Sequence, residues 1–101
     1  MKGAVALALV WVLWNQVYTD GKLSRPWRHE EMFESKDGCE VALPKRIEQT
    51  RHNLSTLSEE HGLGWRLTVD ENKLVLETPQ SLKRIEHLCL PRGIDPRRWI
   101  G

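Results

Sequence analysis

The sequence has little of what most function classes require. Fifteen Lys+Arg against fourteen Asp+Glu leave a net charge of +1, too small a positive field for a nucleic-acid binder. Its two cysteines, Cys39 and Cys89, stand 50 positions apart. They form no C-x-x-C pair, so neither a redox motif nor a zinc knuckle is signalled. G-x-S-x-G, H-E-x-x-H, P-loop and G-x-G-x-x-G patterns are absent from the chain, which removes the short signatures of hydrolases, zinc proteases and nucleotide binders. The longest apolar run, Gly3–Trp14, would reach only ~18 Å as a helix against a hydrocarbon core of ~30 Å, so a membrane span is not expected. No repeat, low-complexity tract or linker divides the 101 residues, and that length fits one small domain.

What the chain does have begins at its N-terminus. Lys2, a short apolar stretch and small residues at Ala4, Ala6 and Ala8 read as the remnant of an export signal with an A-x-A cleavage site over residues 1–9, although the stretch is shorter than usual. A buried first strand is the competing reading. Residues 10–91 form the expected domain, and 92–101, rich in Pro, Gly and Arg, an irregular tail.

Within the domain, Val10–Tyr18 is rich in β-formers, and Asp20-Gly21 signals a two-residue hairpin. That loop makes opposed residues total 41: Tyr18 meets Leu23, Trp14 meets Trp27, and Val12 meets His29. Pro26 cannot donate to a ladder, so the second strand should lie at a sheet edge. Ser35 is a candidate N-cap with Asp37 in the first turn. Cys39, Leu43, Ile47, Thr50, Leu54, Leu57 and His61 then recur at helical spacing, and Gly62 marks the end. Pro44 either kinks this helix or marks the start of its main part. Trp65–Val69 and Lys73–Thr78 read as strands joined by a three-residue loop with Asn72 left-handed. Arg84–Leu90 is a last strand, with Ile85, His87 and Cys89 on one face. The order strand, strand, helix, strand, strand, strand gives an α+β domain: about five antiparallel strands on one long amphipathic helix.

In an exported chain, Cys39 and Cys89 would by default form a disulfide tying the helix start to the last strand. Two free thiols in a cytoplasmic protein are the alternative. Reduced, Cys39 and Cys89 could join His87 as three zinc ligands. His52 and His61, nine residues apart, fall on opposite helix faces and cannot share a metal. Glu30-Glu31 and Glu59-Glu60 read as solvated surface rather than an acid/base dyad.

Trp11-Val-Leu-Trp14 after an apolar leader, Phe33-x-Ser35-x-x-x-Cys39 opening a helix, and Cys89-Leu-Pro-x-x-x-Asp95-Pro-Arg97 resemble a group of small exported bacterial proteins with no assigned activity. The resemblance lies in three short blocks, of which the last is the most specific. It implies a periplasmic or secreted location and this fold, and no mechanism. The short leader and the Arg98-Trp99-Ile100 ending depart from the group's pattern.

Five tryptophans exceed what so small a core needs, and rings are favoured interface anchors. Trp65 and one of Trp14 and Trp27 should be core. Trp11, on the face opposite Trp14, and Trp99, with Arg97 and Arg98, are the candidate partner-binding residues. The expectation is a non-enzymatic, cofactor-free module that binds an envelope or secreted partner. The alternative is a cytoplasmic accessory protein associated with a metal or nucleic acid.

Overall fold

A computed structural model describes residues 10–99; residues 1–9, on which the export-signal expectation falls, and the side chain of Trp99 lie outside the described residues. The elements are β1 (Trp11–Thr19), β2 (Lys22–Phe33), α1 (Lys36–His61), β3 (Arg66–Asp70), β4 (Lys73–Glu77) and β5 (Leu82–Pro91), with a terminal 3-10 turn at Pro96–Trp99. The five strands form one antiparallel sheet in the order β2-β1-β5-β4-β3. The α+β order matches the sequence expectation. β1 and β5, first and last in the chain, meet at the centre, so the domain closes on itself.

The turn at Asp20-Gly21 forms as expected, with φ of 52° and 80°, and Tyr18 faces Leu23. Beyond it the register departs from the hairpin arithmetic. β2 has 12 residues and β1 has 9, and the three extra residues enter as three irregularities. The paired numbers total 41 at Tyr18–Leu23 but 44 at Trp11–Phe33. Trp14 therefore opposes His29 and Val12 opposes Met32, which corrects the expected Trp14–Trp27 and Val12–His29 pairs. Pro26 lies inside one of these irregularities, where a missing N–H breaks no regular ladder bond. β2 is an edge strand, as Pro26 requires.

Two hydrogen-bonded ends define α1. The Ser35 hydroxyl accepts from the Gly38 N–H at 3.0 Å. At the other end Gly62 takes φ 60°, and the N–H groups of Gly62 and Leu63 donate to Glu59 and Ser58. The helix runs unbroken through Pro44. Its expected stripe holds at Cys39 and Ile47 but fails in the last turns: Leu57 is 40% exposed, His61 is exposed, and Ser58 is buried instead. Ser58 serves as a polar anchor, its hydroxyl accepting from the Trp65 N–H at 2.9 Å. This turns the helix about 100° from the apolar stripe at that point.

The β3–β4 loop has two residues, since Asp70 pairs with Lys73, and Glu71 rather than Asn72 has positive φ, 55°. Asn72 is held by β5: its amide donates to the His87 carbonyl at 2.6 Å, and its own carbonyl accepts from the His87 N–H at 3.0 Å.

Directly opposed residues share a face, so the register sorts the sheet. Leu13, Cys89, Leu74 and Leu76 face α1 and meet Cys39 and Ile47. At the centre, Cys39 and Cys89 are bonded, with Cα atoms 6.1 Å apart. Cys39 is fully buried and Cys89 half-buried, and the bond ties helix to sheet. Replacing both by alanine should lower unfolding free energy by about 4 kcal/mol, the chain-entropy value for closing a loop this long. Guanidinium denaturation of the oxidised protein and the double variant measures it.

Candidate functional site

Even-numbered residues of β1, from Val12 through Trp14 and Gln16 to Tyr18, point away from α1. The chain after β5 folds back over this open face. The Arg92 N–H donates to Val10, Ile94 to Pro91, and Arg98 to Asp95. Asp95 nucleates the 3-10 turn by accepting from the Arg97 N–H at 2.9 Å and from the Arg97 guanidinium at 2.6 and 2.8 Å. The guanidinium bond is the main cause that holds its carboxyl down at about 2. Pro96 is fully buried, and the Arg97 guanidinium sits 5.5 Å from the centre of the Trp14 ring. The tail expected to be irregular is thus an ordered cover as far as the turn extends. Trp14 also meets His29 edge-on at 5.4 Å.

Beside this cover lies a groove of about 300 Å³ lined by Gln16, Tyr18, Leu23, Pro26, Trp27, Pro96 and Arg97. Two of its lining residues, Gln16 and Tyr18, are held by neighbours on β5. Glu86 accepts from Gln16 at 2.7 Å and from Arg84 at 2.8 Å, and Arg84 lies 4.5 Å from the Tyr18 ring centre. Two aromatic rings, a proline edge and a guanidinium around fixed polar groups suit a flat, amphipathic ligand.

The expected partner-binding residues are not brought together. Arg97 lines the groove, and Arg98 borders a neighbouring hollow with Trp14, Gly93, Ile94 and Asp95. Trp11 is half-buried on the opposite face, as its odd position requires, beneath the Lys36 ammonium at 5.8 Å. The expectation for Trp99 concerns a side chain outside the described residues. Trp14 is core, whereas Trp65 is only half-buried. Tyr18, Gln16 and Trp27, which no motif marks as binding residues, line the groove instead. The period-2 pattern from Trp14 already places Gln16 and Tyr18 on one face; Trp27 was hidden by the register shifts.

A second polar site lies between α1 and the sheet. The irregularity between Leu13 and Trp14 leaves Glu30 as the extra residue beside Glu31, and both carboxylates bond Arg46 of α1, Glu30 at 2.9 Å. This corrects the reading of Glu30-Glu31 as solvated surface: a bulge aims two successive side chains the same way. Glu30 also accepts from the Asn15 amide at 2.9 Å, and Asn15 in turn accepts from Arg25. His87 is 3% exposed, its Nε2 3.9 Å from Glu30. Its Nδ1 has no hydrogen-bond partner among the described residues. The alternative zinc set of Cys39, His87 and Cys89 is overturned, because both sulfurs are bonded to each other.

Burial lowers the His87 pKa below its ordinary 6.5, with the Arg46 and Arg25 charges adding to it and Glu30 opposing. The unfolded chain therefore takes up a proton first as pH falls. Stability should be complete above pH 6.5 and decline below it, and His87→Gln should flatten that decline. The loss from Asp95, whose pKa falls from 3.8 to about 2, belongs to a separate window in that lower range. Unfolding midpoints across pH distinguish the two. No family model, curated protein or solved structure matches this chain.

Proposed function

We propose that the protein is a non-enzymatic binding module working in the periplasm or secreted space, and that its partner enters the groove beside Trp27 and Arg97. The Cys39–Cys89 bond carries this reading. Structural disulfides persist in oxidising compartments and are rare in the cytosol. The export-like leader and the resemblance to small exported bacterial proteins support the same location. No helix among the described residues is long and apolar enough to cross a membrane.

A binding role fits the distribution of chemistry better than catalysis does. The buried histidine, with a depressed pKa that would suit a proton carrier, lies beneath α1, on the face away from the groove. The groove holds rings and a guanidinium already paired with Asp95, a recognition set rather than a nucleophile and base. The cytoplasmic alternative loses its metal set to the disulfide, and its nucleic-acid version has only Arg92, Arg97 and Arg98 on a chain of net charge +1.

Intact mass of the natively expressed protein, measured by cell fraction, tests the location. A product in the extracytoplasmic fraction, lacking its first residues and two hydrogens lighter than its reduced form, is expected. A full-length, thiol-reactive product confined to the cytoplasm would overturn the proposal.

A further inference from the structure

The two edges of the sheet are built differently. β2 carries three irregularities and Pro26, features that spoil an edge for pairing with another strand. β3, at the opposite edge, is five regular residues, Arg66-Leu-Thr-Val-Asp70, with no proline, glycine or bulge. Among the described residues nothing pairs with its outer side. Four of its five residues are exposed, Val69 at 43%. Leu67 and Val69, opposite Leu76 and Leu74 of β4, share the helix side of the sheet.

The phase of the hairpin decides which backbone groups are free. The two-residue turn makes Asp70–Lys73 the hydrogen-bonded closing pair. Alternation then turns the N–H and C=O groups of Asp70, Thr68 and Arg66 toward β4, and those of Leu67 and Val69 outward. The sequence is self-complementary about Thr68. In an antiparallel pair of two copies centred there, Leu67 opposes Val69 on the helix side, and Arg66 opposes Asp70 on the open side. Leu67 and Val69 then exchange backbone hydrogen bonds in both halves. Each copy contributes one positive and one negative end, so both cross-strand pairs are attractive. Neither Arg66 nor Asp70 makes an ion pair among the described residues.

We infer that β3 pairs with the β3 of a second copy of this chain across a two-fold axis at Thr68, joining two five-stranded sheets into one. This pairing depends on neither the groove nor the compartment. Two five-residue strands make an interface below the standard ~1,200–2,000 Å², so the association is weak and concentration-dependent.

Sedimentation velocity of the full oxidised chain over a concentration series tests it. The wild type should shift from monomer to dimer in the high-micromolar range. Val69→Pro removes only an outward N–H and should remain folded and monomeric. Arg66→Asp and Asp70→Arg each place like charges opposite one another across the axis and should weaken self-association by about tenfold. An equimolar mixture of those two variants restores both attractive pairs and should dimerise again. A wild type that stays monomeric at millimolar concentration would overturn the inference. So would a mixture that fails to recover although both variants are folded, or a folded Val69→Pro chain that dimerises as the wild type does.

Discussion

Closure of the Cys39–Cys89 bond between the start of α1 and β5 is the constraint from which the other contacts follow. Cys39 lies in the first turn of α1 and Cys89 on β5, beside Leu13 of β1. With that turn pinned over the two central strands, α1 must lie along one face, and everything turned the other way must find another cover. The short segment after β5 supplies it with Pro96 and Arg97. A domain of this size buries a limited apolar core, and a cross-link of this loop length contributes a share comparable to its whole net stability.

The tether also explains why so much polarity is buried under the helix. Asn15, His87 and Glu30 sit in the same layer as Leu13 and Ile47, on the helix side of β1, β5 and β2. Most buried polar groups in folded proteins are partnered. Here the partner reaches in from α1: Arg46 bonds both carboxylates that the β2 irregularity places together. An ordinary strand would have sent Glu30 and Glu31 to opposite faces and left Arg46 with one partner. Burial pushes His87 toward its neutral form, against the pull of the Glu30 carboxylate.

Much of this arrangement is legible in the residues. Alternation and helical spacing identify the elements, Ser35 and Gly62 bound the helix, and Pro26 assigns β2 to an edge. The disulfide follows from cysteine placement once an oxidising location is supposed. The β2 irregularities are not legible, because a bulge is a property of two paired strands: nothing in Glu30-Glu31 or Arg25-Pro26-Trp27 states that a neighbour is three residues shorter. That omission hid the groove, since Trp27 was assigned to a facing pair with Trp14. The burial of Ser58 in place of Leu57 was hidden similarly, because its cause is a hydrogen bond to Trp65 across the turn that follows the helix.

On the proposed readings, the two edges serve different contacts, one with a ligand and one with a second copy. Irregularities on β2 curl that edge, which both shapes the groove near Pro26 and Trp27 and disqualifies the edge for strand addition. The regular edge at β3 lies four strand spacings away, ~19 Å across the sheet. A second copy seated there leaves the groove uncovered, so pairing and ligand binding do not compete for surface. A groove of about 300 Å³ has room for a single small ligand element. Coupling two such grooves would raise the apparent affinity for a repeating partner without any new contact, because the second engagement becomes intramolecular. Weak self-pairing suffices for this, since a partner holding both copies would itself drive the edges together.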